Sequence, residues 1–437
     1  MTAWSMAIVL STLLLGVLAV LTFNRAHLEA YPELSRKIAH VAVGVIALTF
    51  PWLFTAVEPV LAVVSAAVAV LIALRTVPLL RSYVAPLILG VRRASLGDVY
   101  FPLAAVALFA LAHGDLVFYT IPILTLTVAD ALAAIIGLRY GTVYYSTMHG
   151  RKSVEGSVAF LVVAFLVAHL TLLLASPVGR IESVLIASIF AVLVTLLEAV
   201  AWAGLDNLFV PLGGYFILSR VLPMDSVLLG GSLCVAVLLF VLVLYARNRQ
   251  TLDDSGLLAG VLIGYLSWDV GGWQWLLPPL VVFIAYPALF PRADQRVKRP
   301  HDLVALGSVT LAGGCWLALA HGTHAAAAYF AYTLAFAVTL CFIGVTWFHV
   351  ARATMPKWRT VFVSVAIAGV VLFAPFVSVE RSMAAAIEAV IAIGIMLVAA
   401  TAYVRVVLND GTRRHPWERQ ALMTLGASML GFLVAIP

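Results

Sequence analysis

What constrains this chain most is the succession of long apolar runs that fills it from end to end. About 16 can be counted, near residues 4–22, 38–54, 59–74, 99–112, 116–137, 155–175, 182–203, 208–222, 226–246, 255–270, 275–291, 303–321, 324–350, 360–378, 383–405 and 420–436. Most are about 17–25 residues long, the length an α-helix needs to cross a hydrocarbon core. In lipid, every backbone N–H and C=O must be satisfied within the protein, so only helices and closed barrels span. A barrel would show alternating segments of about ten residues, whereas these runs are continuous. The expected fold is all-α: a polytopic integral membrane bundle of about 14–16 transmembrane segments. The runs at 99–112 and 208–222 are short enough to be tilted or re-entrant. Only 11% of the 437 residues are charged and 64% are hydrophobic, against about 25% charged in a soluble domain. That balance excludes a soluble enzyme and a disordered chain alike. Cys234, Cys315 and Cys341 all lie inside apolar runs, so they specify neither a disulfide framework nor a metal site.

The 26 Lys and Arg exceed the 20 Asp and Glu, for a net charge of +6. In this context the excess points to cytoplasmic loops and not to nucleic acid, because basic residues are retained on the inner side. One set of alternate loops holds 23 of the 26 cations, and the other holds only Arg180, Arg220 and Arg381. That asymmetry predicts both termini outside and the basic loops in the cytoplasm, and the expected location is the cytoplasmic membrane of a prokaryote. It also requires the short 208–222 run to cross. The first run lacks a basic flank and reads as a retained helix. The polar stretch RNRQTLDDS, from Arg247 to Ser255, marks a boundary between modules 1–250 and 251–437. The piece VPLLRSYVAPLILGVRR, residues 77–93, is amphipathic and suits the cytoplasmic interface.

Polar groups inside an apolar protein are costly, and so informative. In the first half they cluster on the predicted cytoplasmic side. Arg36, His40 and Gly44 fall on one helical stripe, with Lys37 beside them. They read either as a snorkelling anchor with a packed histidine or as a site for substrate phosphate. Asp130 sits in the run TLTVADALAAIIGLRYG, with Gly137 seven and Gly141 eleven residues on. At 100° per residue both glycines lie within about 20° of Asp130. The carboxylate therefore stands above a glycine face that another backbone or a ligand can approach closely. The following loop carries Arg151, Lys152, Ser153, Glu155, Gly156 and Ser157. Ser153 can cap the next helix, whose free N–H groups and dipole favour an anion, and Glu155 is a candidate metal ligand. Downstream, Glu198, Asp206 and Asn207 return to the same side, where Asp and Asn offer hard oxygens for Mg²⁺. Asp206 or Asn207 also reads as an ordinary helix cap. Together these groups suit phosphoryl transfer, which needs charge neutralisation and alignment more than covalent help from the protein.

The order of these blocks resembles the polyprenol kinase family of phytol kinases, dolichol kinases and CTP-dependent diacylglycerol kinases. The blocks are Arg36-Lys37-Ile38-Ala39-His40 with Gly44, Arg93 to Pro102 (RASLGDVYFP), Asp130 to Ser157, and Glu198 with Asp206-Asn207 and Val210-Pro211-Leu212. They span residues 36–212. The resemblance implies a membrane enzyme that transfers phosphate from CTP to a lipid alcohol, with Mg²⁺ as cofactor and an isoprenoid alcohol such as phytol, geranylgeraniol or dolichol as acceptor. It implies Asp130, Lys152, Glu155 and Asp206 as catalytic residues, with Asp130, Glu155 and Asp206 also as metal ligands. It implies Gly137, Gly141, Arg151, Lys152, Ser153, Gly156 and Ser157 around the nucleotide. Arg36, Lys37, His40, Glu198 and Asn207 would lie by substrate or phosphate. Ala129 stands where family members usually carry glycine.

Phosphatidate cytidylyltransferases share a similar Asp…Gly…Gly…Lys-Ser-x-Glu-Gly segment, but their Lys-Asp…His-Gly-Gly…Asp-Arg-x-Asp block is missing after Gly156. A transporter, the other alternative, should carry midplane polar residues in both halves, and the second half lacks them. Part of that half, SGLLAGVLIGYLSWDVGGWQWLLPPLVVFIAYPALFPR, resembles the start of a membrane family that includes phytyl-phosphate kinases. The Asp-Thr-x-x-Ser-Glu segment of that family is absent, and the region reads FAVTLCFIGVTWFHV. No second active site is expected. His321 and His324 fall in an outer loop and His349 at the opposite face, so they do not form a shared metal site.

Overall fold

The computed structural model describes residues 2–24, 27, 31–78, 80, 96–148, 150–290, 301–320, 325–352, 354–408 and 417–435. Several residues weighed above lie outside that set. They are Arg25, Arg81 with the rest of the amphipathic piece through Arg92, Arg93 to Ser95 of the second block, and His149. They also include Arg292, Arg296, Lys298, Arg299, His321, His324, Arg413 and Arg414.

Every apolar run is helical. The first unit contains α1 (Ala3–Phe23), α2 (Pro32–Leu48), α3 (Phe50–Leu53), α4 (Val57–Thr76), α5 (Gly97–Ala112) and α6 (Leu116–Leu124). A π-helical turn, Thr125–Ala129, then leads into α7 (Asp130–Tyr140). A hairpin of β1 (Tyr144–Thr147) and β2 (Gly150–Ser153) comes next, then α8 (Val154–Ala175), α9 (Arg180–Val200), α10 (Asp206–Val221) and α11 (Ser226–Ala246). The remaining elements are α12 (Asp254–Gly271), α13 (Trp273–Leu289), α14 (Leu303–Leu319), α15 (Ala325–Ala351), α16 (Lys357–Glu380), α17 (Met383–Val406) and α18 (Trp417–Ala435). Among the described residues, ten helices are long and apolar enough to cross a membrane, and α5, α13 and α14 are shorter apolar helices. The protein is an all-α polytopic integral membrane bundle.

The chain divides into two compact units, residues 1–237 and 238–437. The division falls within α11, ahead of the polar stretch at 247–255. Leu239, in the second half of α11, packs on Gly264 of α12, so this half of the helix belongs to the second unit. In the first unit α9 is the central helix, with 72% of its spanning window buried against 17% for α1. Ile186, Phe190 and Val194 form its sealed core. In the second unit α15 holds that place: α13, α14, α16, α17 and α18 all pack on it, around Phe330, Leu334, Leu340 and Phe342.

Short-range chemistry sets the helix starts. Asp115 caps α6 through Val117 N at 2.8 Å, Ser153 caps α8 through Gly156 N at 3.1 Å, and Asp253 caps α12 through Gly256 N at 2.7 Å. Each accepts from a backbone N–H that lacks a partner within its helix. The backbones of α7 and α8 approach closely at Gly156. A Cβ added at Gly156 would sit 2.9 Å from the Ala133 carbonyl oxygen and 3.3 Å from Gly137 Cα. Ala at Gly156 therefore pushes two helices apart, at a cost of about 1–3 kcal/mol. Gly230 has nothing within 4 Å of such a Cβ. Thermal unfolding in detergent should show a lower midpoint for Gly156→Ala and none of that loss for Gly230→Ala.

Candidate active site

Arg36, His40, Asp130, Arg151, Lys152, Asp206 and Asn207, all singled out in the first half, converge on one cavity of about 590 Å³ in the first unit. Five separate pieces of chain build its polar end. α2 supplies Arg36 and His40, the start of α5 supplies Gly97 and Asp98, and the start of α7 supplies Asp130. The hairpin supplies Thr147, Gly150, Arg151 and Lys152. The turn after α9 and the start of α10 supply Trp202, Gly204, Asp206 and Asn207. Away from these residues the wall becomes apolar, made by Leu14 and Leu18 of α1, Val43 of α2, Val70 and Leu71 of α4, and Phe101 of α5. From Leu21 to Ser11, both on the wall, α1 rises about 15 Å. The cavity is thus charged at one end and greasy along its length.

Local structure explains how each charge arrives. The π-turn widens the helix just before Asp130, a distortion common at functional sites. Gly44 lies so close to Thr127 that only glycine fits there, which brings α2 against the turn. Lys37 Nζ then donates to Asp130 Oδ2 at 2.6 Å, with the lysine side chain 4% exposed and the aspartate 14%. His40 donates from Nε2 to the Leu126 carbonyl at 3.1 Å, and the same nitrogen is 3.6 Å from Asp130 Oδ2. The histidine ring meets Phe101 edge-on, with centroids 5.2 Å apart. Arg36 is forked onto Glu33, one bond being 3.2 Å.

The hairpin presents two more cations. Lys152 Nζ bonds both the Glu198 carbonyl and Glu198 Oε1, the latter at 2.7 Å. Burial opposes the Lys152 ammonium, but Glu198 and then Asp206 outweigh it, so its pKa stays above the ordinary lysine value. Lys152 is therefore a fixed positive charge at physiological pH. Arg151 lies over the Tyr144 ring, 5.2 Å from its centroid.

At the far wall, Gly97 abuts the turn that precedes α10. A Cβ there would meet Asn207 Nδ2 at 2.6 Å and Gly204 Cα at 3.1 Å. Gly204 has φ +86° and Ala203 φ +52°. The left-handed backbone at Ala203 is costly for a residue with a Cβ, a strain that clusters at functional sites. This turn sets Asp206 and Asn207 beside Asp98, which is itself paired with Arg75 at 2.5 Å.

Not every expected residue faces the cavity. Gly137, Gly141, Ser153 and Gly156 form the close-packed corner between α7 and α8 behind it. Ser157 pairs with the Tyr145 hydroxyl at 2.8 Å. Glu155 Oε1 accepts from Thr142 N at 2.8 Å and Val143 N at 3.1 Å, which fastens the turn leading into β1. Lys37 and Glu198 stand one layer back, each holding an opposite charge that does line the cavity. Conversely, Asp98 was absent from the expected set although it stands in the GDVYFP block, where an acid at the start of an apolar helix was the available signal.

Among the described residues no group of three or more His, Cys, Asp and Glu is poised around a metal. The donors present nevertheless fit Mg²⁺. Asp206, Asp98 and Asn207 line the same wall, and Asp98 Oδ2 and Asn207 Oδ1 are buried with no hydrogen-bond partner among the described residues. Mg²⁺ in phosphotransferases is usually held by one or two carboxylates, with waters and substrate phosphates completing the shell.

The Lys37–Asp130 pair yields a stability test. Removing one partner of a buried pair strands the other charge, at about 3–5 kcal/mol, whereas removing both can be nearly neutral. Lys37→Met should lower the unfolding midpoint sharply. Lys37→Met combined with Asp130→Asn should recover most of that loss.

No protein-family profile matches the chain, and no solved structure matches it. Among characterised proteins, the phytol kinase of Synechocystis sp. is 32% identical over 206 residues, covering 46% of this chain and 84% of that protein. Identity at this level across most of the relative's length establishes common ancestry. The chain belongs to the polyprenol kinase family of membrane lipid-alcohol kinases.

Proposed function

We propose that the first unit transfers the terminal phosphate of CTP to the hydroxyl of a single-chain isoprenoid alcohol at the cytoplasmic face of the membrane. The observation that carries this reading is the two-ended cavity. One end gathers Arg36, Arg151 and Lys152 with Asp98, Asp130 and Asp206, and the rest is a lipid-like groove between α1, α4 and α5. A triphosphate suits the cationic end and an alkyl chain suits the groove. The named relative acts on phytol, an alcohol of this class. CTP as donor and Mg²⁺ as cofactor rest on the family resemblance and on the donor set at the wall.

In this reading Lys152, Arg151 and Arg36 hold the phosphates and offset the charge that builds on the transferring group. Asp206, Asn207 and Asp98 would hold Mg²⁺, which would supply further charge neutralisation there. Asp130, fixed by Lys37 and flanked by His40, accepts the hydroxyl proton as the lipid oxygen attacks the terminal phosphorus. The nucleoside diphosphate leaves on the opposite side. Phosphoryl transfer depends on such alignment, and five pieces of chain fix it here.

Purified protein in mixed micelles, with Mg²⁺, γ-labelled CTP or ATP and a panel of lipid alcohols, tests the assignment. Label should enter an isoprenoid alcohol, and CTP should be the better donor. No labelled lipid, but pyrophosphate release when phosphatidate is supplied, would instead indicate a cytidylyltransferase. Lys152→Ala and Asp206→Asn should each lower kcat by about a hundredfold or more while the protein still inserts in the membrane. Leu14→Trp narrows the groove away from the reacting end. It should raise KM for a long alcohol by about 5- to 100-fold while sparing a short-chain one, the equivalent of about 1–3 kcal/mol of overpacking.

A further inference from the structure

The second unit carries a cavity of its own, of about 310 Å³, at the small end of the usual range for ligand pockets, about 300–1,000 Å³. It runs from Leu252, just ahead of α12, down to Gly264, and α12 rises about 15 Å from Asp254 to Gly264. Leu276, Val282 and Phe336 make its deeper wall. Gly260 opens onto it, with nothing within 4 Å of where a Cβ would stand.

Two features define what fits. First, no Asp, Glu, Lys or Arg among the described residues lines this cavity. Second, apart from Thr310, Thr346 and two indoles, the polar side chains of the lining gather where α12 begins and α13 ends. The Thr251 hydroxyl lies 3.1 Å from the Tyr286 hydroxyl and 3.0 Å from His301 Nδ1. Gln250 is beside them, with its amide donating to the Phe283 carbonyl at 2.8 Å. Burial lowers the His301 pKa against the pull of Asp302, so the ring is neutral at physiological pH. A long apolar slot that ends in a neutral hydroxyl, phenol and imidazole cluster complements a ligand of the same design.

We propose that this cavity binds a neutral single-chain lipid with a hydroxyl head, its chain along α12 and its head at Thr251, Tyr286 and His301. A phosphorylated lipid is disfavoured, because its charge would be desolvated with no cation among the described lining residues. The inference stands on the second unit alone and does not depend on the kinase reading. If that reading also holds, each unit binds the same class of alcohol and only the first converts it.

Full-length protein, photolabelled with a diazirine-bearing hexadecanol and mapped by peptide mass spectrometry, tests the site. Label should appear in peptides covering 239–264 and 276–286, both in the wild-type protein and in Asp206→Asn. Unlabelled hexadecanol should compete, and hexadecyl phosphate should not. Gly260→Leu fills the cavity and favours the helix, so labelling there should fall about tenfold in a protein of normal unfolding midpoint. Thr251→Val removes the hydroxyl and should lower labelling without filling the slot, which decides the matter if Gly260→Leu folds poorly. Labelling that survives Thr251→Val unchanged, or equal competition by hexadecyl phosphate, would overturn the proposal.

Discussion

The first unit depends on a single buried ion pair. Lys37 and Asp130 stand 93 positions apart, yet they meet at 2.6 Å with almost no exposure. Neither charge is tolerable alone in an apolar bundle, so the two must be brought together as α2 docks on the π-turn. The glycine at position 44, pressed on Thr127, makes that docking close enough. Once α2 is seated, Arg36 and His40 fall on the cavity side and Lys37 on the inner side. A second pair, Lys152 with Glu198, ties the hairpin to α9 in the same manner. The cavity is therefore assembled by charges that hold one another from behind, while their neighbours along the chain face the substrate space.

This arrangement explains which parts of the site could be read from residues alone. Asp130 was legible because a carboxylate within an apolar run demands a reason. Gly137 was legible as a smooth face, and the structure shows what approaches it: the start of α8, at Gly156 and Ser153. The partnership of Lys37 with Asp130 was not legible, since adjacent positions in a helix face different ways and no local pattern tells Lys37 from Arg36. The bonds of Glu155 to the Thr142 turn were hidden for a similar reason, because a carboxylate near a helix start reads equally as ligand, cap or turn clasp. Helix α1 is apolar all round, so nothing in its pattern marks Leu14 and Leu18 as cavity wall. The helical class and the number of apolar runs were plain, because run length and continuity report directly on what lipid permits. The division between units falls inside α11 and not at the polar stretch after it, because the end of that helix packs on α12.

The two units solve different chemical problems with the same material. In the first, charges of both signs line a cavity that opens into a groove, as a reaction between a nucleotide and a lipid requires. In the second, the described lining is free of charge, as the proposed neutral lipid requires. The contrast lies in a few residues near helix ends.

The central claim is that one cavity in the first unit receives both nucleotide and alcohol. A cryo-EM structure of the protein with Mg²⁺, a CTP analogue resistant to transfer and a long-chain isoprenoid alcohol tests this most directly. The account predicts triphosphate density against Arg36, Arg151 and Lys152, with the alcohol chain between α1 and α4 and its hydroxyl beside Asp130. Triphosphate bound elsewhere, or an alcohol whose hydroxyl lies far from Asp130, would contradict it.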